Sequence, residues 1–457
     1  MAPILRCGDS QRSAFRRFFC FRTSAITLVL LSIDNDISKN AAPILLSVKE
    51  ALSAAWYFVV IKPEMFATSH PIASWKKRFG FFMSDFGVFS MKKSLIALAV
   101  LAASGASFAQ SSVTLYGVAD VWLGSSKVES NVNGVNSSLT STKLDSGGIN
   151  TSRFGFKGSE DLGGGLKANF QLEQGINVDT GAQGHAGVAF DRQSWVGLSG
   201  GFGEVQLGKT WSPYDDVRSS NNDTFNANIA ASFNTWVGYQ DRLNNSIKYQ
   251  SPTFSGFSGA VSYSLGEDKT ATASASRIAA ISAKYAGGPV SVGVAYQEQT
   301  QTGGVNSAFN ALPGMGSTNL FGLAPQLAAS FTGKTKYALI NGSYDFGVAK
   351  LIGGYNKVKQ DVNATTGAGN YEANEFNLGV EVPLATSLKL GAGYAESKLK
   401  GNGTDFGKTK GLSAALTYSL SKRTMVYGAL TDTKFDAIGA NVNAKSELYA
   451  VGVNHTF

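Results

Sequence analysis

Cysteine is nearly missing from this chain: of 457 residues only Cys7 and Cys20 carry thiols, and both lie in the first 20 positions. The rest of the polypeptide can build no disulfide framework, cysteine metal site or thiol nucleophile. Histidine is almost as scarce, with His70, His185 and His455 the three present. None has a metal-ligating neighbour at useful spacing, so no metal and no cofactor is expected, and no serine or aspartate has an evident histidine partner for catalysis. Beyond residue 109 there is also no unbroken apolar run of the roughly 20 residues that a transmembrane helix requires. Glycine-rich phrases such as DLGGG and GGFGEVQLGKT lack the Gly-x-x-x-x-Gly-Lys-Ser/Thr order of a phosphate loop, and a strand rather than a helix should follow them.

The formal charge of +8 is unevenly placed. Residues 1–109 hold 13 of the 40 Lys+Arg and 6 of the 32 Asp+Glu, which leaves 27 against 26 downstream. The downstream chain is close to neutral, so a nucleic-acid partner is not expected. Residues 91–109, MKKSLIALAVLAASGASFA, combine two lysines, a short apolar core and small residues before Gln110. That is the layout of a secretory signal peptide, with cleavage expected after Ala109. Residues 1–90 show no clear period and precede this complete signal; they read as a spurious or disordered extension and are left out of fold reasoning.

What is abundant is alternation. The closing segment LYAVGVNHTF sets Tyr449, Val451, Val453, His455 and Phe457 on one face and Ala450, Gly452, Asn454 and Thr456 on the other, the period of a β-strand with one apolar and one wet face. Leu166, Ala168, Phe170 and Leu172 alternate with Lys167, Asn169, Gln171 and Glu173 in the same way. Tight, Gly/Pro/Ser/Asp-rich turns fall at residues 159–165, 200–203, 251–257, 286–289, 345–347, 383–386 and 421–423. Long polar stretches separate them at 124–151, 176–190, 211–241, 266–276, 297–334, 357–373, 397–407 and 431–445. Short and long connections alternating in this number predict 16 antiparallel strands. A sheet so wide is expected to close, which predicts an all-β, transmembrane 16-stranded antiparallel β-barrel with short turns on the periplasmic rim, long extracellular loops and a water-filled lumen over residues 110–457.

Five blocks carry a family resemblance: SSVTLYGVADVWL (111–123), SRFGFKGSEDLGGGLKANFQLE (152–173), DRQSWVGLSGGFGEVQLGKTWSPYDD (191–216), RLNNSIKYQSPTFSGF (242–257) and the strand ending at Phe457. In these the chain resembles the general, non-specific trimeric porins of Gram-negative outer membranes. The resemblance implies a homotrimer in the cell outer membrane, contact with outer-membrane lipid and lipopolysaccharide, and passive diffusion of small hydrophilic solutes. It also implies a third long loop folded into each pore, and Phe457 as an assembly signal read by the barrel-assembly machinery through the C-terminal strand.

Selectivity in such a pore comes from fixed charge at its narrowest point. Arg153 shares parity with Lys157, opposite Phe154 and Phe156; Arg192 opens the fourth strand; Arg242 shares parity with Ser246 and Lys248. All three are expected to face water. The resemblance places them as a basic row across the pore from acidic residues of loop 211–241, where Asp215 and Asp216, with Asp223 further along, are the candidates. The two adjacent aspartates either face the arginines or brace the loop. Lys157, Lys248 and Asp120 are secondary pore-lining candidates, and Tyr116, Trp122, Tyr394, Tyr427 and Tyr449 are girdle or wall aromatics. Three arginines against two or three aspartates lean toward weak anion preference. A sugar-selective porin, an adhesin or receptor role for the long loops, and a barrel enzyme are the alternatives.

Overall fold

The computed structural model describes residues 112–271, 274–302, 332–363, 369–439 and 441–457. The expected signal and upstream extension, and most of the connection expected at 297–334, lie outside them. Among these residues eighteen strands are arranged in chain order: β1 (Ser112–Val132), β2 (Val135–Ser146), β3 (Arg153–Gly163), β4 (Leu166–Asn177), β5 (Ala182–Gln183), β6 (Gln193–Gly200), β7 (Gly203–Trp211), β8 (Arg242–Gln250), β9 (Phe257–Leu265), β10 (Arg277–Gly287), β11 (Val290–Thr302), β12 (Thr332–Asp345), β13 (Lys350–Asn363), β14 (Gly369–Pro383), β15 (Leu388–Gly401), β16 (Thr404–Ser419), β17 (Thr424–Ala437) and β18 (Val442–Thr456).

Each wall strand pairs antiparallel with the next, and β18 returns to pair with β1 from Val118–Thr456 to Val132–Val442. The inner half of β1 pairs with β3 and its outer half with β2, so β2 and β3 share one position in the wall. The two-residue β5 pairs only with the end of β4. With β2 and β5 set aside, the wall is a closed barrel of 16 strands, and all seven tight turns lie where their sequences place them. The outward residues are apolar and the inward ones small or polar. On β16, for example, Leu412, Leu416 and Tyr418 are exposed while Ser413, Ala415 and Thr417 are buried. Lipid solvates the first set, and the second set faces the lumen and its contents.

The long connections are less irregular than their polar sequences suggest. Stretches 124–151, 397–407 and 431–445, expected as loops, are largely continuations of the strands: β1 and β2 run up to a turn at Asn133–Gly134, and β15 and β16 to one at Asn402–Gly403. Their Ser-, Thr- and Val-rich segments favour extended backbone, and above the lipid both faces are wetted, so no apolar alternation advertises the strand. Among the described residues, helix enters only in the third long connection.

The seam closes tightly at its lower end. Phe457 exchanges two backbone hydrogen bonds with Gly117, each 3.1 Å, and a Cβ at position 117 would lie 2.3 Å from Cζ of the Phe457 ring and 2.7 Å from the Arg153 carbonyl oxygen. Gly117→Val is expected to destabilise the barrel by about 1–3 kcal/mol through this overpacking. A lowered temperature of the heat-induced mobility shift on gels checks it; an unchanged transition would show that the ring is free to move aside.

Candidate constriction site

The connection from Ser212 to Asp241 folds into the barrel. Its base is tied by Ser212 N donating to the Asp241 carbonyl at 2.8 Å. Helix α1 (Pro213–Arg218) starts there because Ser212 Oγ accepts from Asp215 N and proline occupies the first turn. A 3-10 turn at Thr224–Asn226 and a short helix α2 (Ala231–Thr235) follow. The far wall then receives the loop. Asn341 Nδ2 donates to the Val217 carbonyl at 2.7 Å, Tyr337 Oη to that of Gly238 at 3.0 Å, and Val237 N to Glu375 Oε1 at 2.7 Å. Asp223, fully buried, accepts from Ala231 N at 2.7 Å and from Asn377 Nδ2 at 3.2 Å. Gly379 and Gly393 make room for it: a Cβ on either would come within 2.9 Å and 2.1 Å of Asp223 atoms. This is the inward-folded third loop.

Between the loop and the near wall lies a cavity of about 780 Å³ lined by Arg153, Arg192, Arg242, Asp215 and Asp216 together. All five residues singled out in the sequence therefore meet in one space. Arg242 stacks on Trp211, 4.0 Å from the ring centre, with Nη1 3.0 Å from Asp241 Oδ2. Arg192 lies 5.5 Å from the centre of the same Trp211 ring and donates through Nε to Glu173 Oε1 at 2.8 Å. Arg153 reaches the second oxygen of Glu173 at 3.6 Å and donates to the Thr151 carbonyl at 2.8 Å. One buried carboxylate thus holds two of the three guanidinium groups.

The loop side is less acidic than its sequence. Asp216 is paired with Lys248, Nζ to Oδ2 at 2.6 Å, so the expected secondary lysine neutralises the expected eyelet aspartate. Asp215 accepts from the Tyr239 hydroxyl. Burial, followed by the neighbouring Asp241, pushes its pKa up to about 7 even though the tyrosine bond pulls the other way. Burial and Asp215 also push the Tyr239 phenol well up, which keeps its proton in place to donate. Both aspartates brace the loop while lining the cavity.

Asp120 requires a correction. It is not a free luminal charge: its side chain is fully buried and accepts from Gly148 N, Asn150 N, Tyr427 Oη and Asn454 Nδ2 at 2.7–3.0 Å. It clamps the end of the first long connection to the β17–β18 wall. Trp122 and Tyr427 turn inward beside it, and Tyr116 turns inward to Glu173 at 3.0 Å, rather than joining a lipid-facing girdle. Lys157 is exposed and sits 5.2 Å from the Tyr116 ring, away from the cavity lining. His455 is exposed on β18, as expected, against Thr424 Oγ1 at 2.8 Å. Among the described residues no cluster of potential metal ligands occurs.

Three further residues at the site carry little or no local sequence signal of their role. Glu173 looks in the sequence like one more residue of a wet strand face, and Asp241 like the end of a loop. Arg218 lines the cavity from within the loop, held over Phe233, Trp236 and Tyr239 at 4.6–5.2 Å. Its one sequence signal is a cation following PYDD at helical spacing.

Residues 95–438 match the Gram-negative porin family. The chain belongs to that family. It is 35% identical to outer membrane porin protein 32 of Delftia acidovorans, over 79% of this chain and 95% of that one. It is 31% identical to an outer membrane porin of Bordetella pertussis, over 80% of this chain and all of the relative. Among solved structures, the anion-selective porin from Comamonas acidovorans superposes with a TM-score of 0.60 at 29% identity, covering 76% of this chain and 100% of that one. OmpT of Vibrio cholerae shares the fold at a TM-score of 0.54 and 16% identity. This porin is an outer-membrane channel for passive diffusion of small hydrophilic solutes.

Two outcomes follow from the porin's site. Asp120→Asn is expected to cost about 1–3 kcal/mol by turning an amide N–H donor toward the donors that Asp120 now accepts from, while ion selectivity stays unchanged in planar bilayers; altered selectivity would return Asp120 to the pore field. For Asp215, the folded value lies above the ordinary 3.8. The native state therefore holds this proton longer than the unfolded chain, and stability contributed here is full below about 4 and lost as pH rises to about 7. Over pH 6–8 the constriction gains negative charge, so the reversal potential in a salt gradient should move toward cation preference. That movement should vanish in Asp215→Asn.

Proposed function

We propose that this porin is a weakly anion-preferring general diffusion channel whose constriction is formed by Arg153, Arg192 and Arg242 opposite the loop residues Asp215 and Asp216. The observation that carries this reading is the cavity they share, in which the acidic side is largely spoken for. Asp216 is matched by Lys248, and burial pushes the Asp215 pKa up to about 7, which lowers its negative charge near neutral pH relative to an ordinary carboxylate. Glu173 offsets part of the basic row, which keeps the preference weak. Fixed charges across a narrow wet gap act with little screening and bias which ion sign enters, and arginine stays charged at every relevant pH. The relative from Comamonas acidovorans, described as anion-selective, supports the same sign.

The proposal extends to assembly and export. Residues 91–109 act as a signal peptide, residues 110–457 are the exported barrel, and residues 1–90 form no part of it. The barrel works as a homotrimer, in line with a trimeric OmpT structure of the same fold. It sits among outer-membrane lipid and lipopolysaccharide, and the barrel-assembly machinery recognises the strand ending at Phe457. The chain carries out no catalysis.

Arg192→Glu and Arg153→Glu should each shift the reversal potential toward cations, most strongly at low salt where the Debye length is about 30 Å rather than about 3 Å. Planar-bilayer recordings of the native and variant channels check this. Unchanged selectivity in both variants would remove these residues from the constriction.

A further inference from the structure

Arg218, the last residue of α1, lines the cavity from the loop side although only 4% of it is exposed. A guanidinium so far removed from water is ordinarily matched by a carboxylate. Among the described residues none has an oxygen within 4.0 Å of it, whereas Arg153 and Arg192 share Glu173 and Arg242 holds Asp241. Three aromatic faces take the place of an ion pair. The guanidinium carbon lies 4.6 Å from the centre of the Tyr239 ring and 5.2 Å from those of Phe233 and Trp236. Nη2 donates to the Ser232 carbonyl at 3.2 Å, and Nε has no hydrogen-bond partner among the described residues.

The cage is built by the returning half of the same loop. Phe233 lies on α2, Trp236 caps that helix and Tyr239 follows before the loop rejoins the wall. Trp236 Nε1 donates to the Phe376 carbonyl at 3.3 Å, and Tyr239 packs edge-on against Tyr214 with 4.9 Å between ring centres. Rings fixed in this way hold a cation through their quadrupoles and leave its charge uncancelled. The other charges are answered nearer by. On the loop, Asp216 is paired with Lys248 and Asp215 accepts from Tyr239. On the wall, Glu173, Asp241 and Asp191 are set among Arg153, Arg192 and Arg242; Lys209, within coulombic reach of Asp191 and Arg242, stands outside the lining. The loop face of the cavity, acidic by its PYDD sequence, therefore presents a cation that no carboxylate touches.

We infer that Arg218 is a selectivity-determining residue of this channel, one that places positive charge on the loop side of the constriction so that a passing anion meets cations on both sides. The inference rests on the constriction proposed above and adds to it a residue that the opposed-row arrangement does not contain. Fixed charge in a narrow gap with low-dielectric walls biases the entering ion without touching it, so near-complete burial does not silence Arg218. A side chain needed only to fill space among three rings would carry no charge, because burying one without an ion pair is costly.

Planar-bilayer recordings of the channel purified from outer membranes test this with Arg218→Gln and with Arg218→Met, whose uncharged chain can still rest on the three rings. The heat-induced mobility shift on gels shows that each variant is folded. Loss of one unit charge within the constriction is expected to lower the anion-to-cation permeability ratio about threefold at roughly 0.1 M salt, and far less at roughly 1 M, where the Debye length falls from about 10 Å to about 3 Å. Arg218→Lys, which keeps the charge, should retain most of the native ratio. An unchanged ratio in the folded uncharged variants overturns the inference. So does a loss in Arg218→Lys equal to that in Arg218→Gln, or a change that persists undiminished at high salt; either would make Arg218 a brace of the aperture and not a source of its field. Arg192→Glu is recorded alongside. A native channel without anion preference, in which Arg192→Glu changes nothing, refutes the constriction reading itself, whereas a native preference lost in Arg192→Glu but kept in both uncharged Arg218 variants refutes only the part assigned to Arg218.

Discussion

An unpaired peptide group in hydrocarbon costs several kcal/mol, and this constraint makes the β1–β18 seam the interaction on which the rest of the molecule depends. Fifteen facing residue pairs join the first strand to the last, and Phe457 adds the final two backbone bonds to Gly117. Without that ladder two edges would lie open to lipid, and the lumen would have no continuous wall. Asp120 sits at the same seam, linking β1, β17, β18 and the end of the first connection through one buried carboxylate. A charge that sequence parity directs into the pore is consumed in holding the cylinder shut.

The constriction depends on a second set of buried carboxylates. Glu375 and Asp223 hold the third connection against the far wall, and Glu173 holds Arg153 and Arg192 against the near one. Thr224, Phe225 and Asn226 adopt left-handed backbone with φ of 48°, 61° and 53°, a conformation that persists only where surroundings over-determine it. Phe225 N bonded to Glu381 at 3.1 Å and Thr224 Oγ1 to Ser413 at 2.7 Å provide that restraint. The gap between basic row and loop is therefore set by buried side-chain contacts on both sides.

Much of this architecture was legible in the sequence, because the features that specify a barrel wall are local. Tight turns at 200–203 or 345–347 and a two-residue period need no knowledge of distant partners. The outward parity of Phe156 and the inward parity of Arg153 were readable for the same reason. Residues whose role is set by partners far along the chain were not. Asp120 meets Tyr427, 307 positions away, and Glu375 meets Val237, 138 positions away; neither has a local pattern distinguishing a clamp from a luminal charge. The hairpin above β1 and β2 was hidden for a different reason: with water on both faces, a strand loses the alternation that reveals it.

Because the third connection is fastened at its base to β7 and β8 and along its length to β12, β14 and β16, it spans the lumen as a tie between opposite staves. Its position cannot be altered independently of the wall that anchors it. Any stress that ovalises the cylinder, such as lateral pressure from the surrounding bilayer, is transmitted to the aperture as a change in width, and the bore of this channel is in that sense a mechanical property of its hoop.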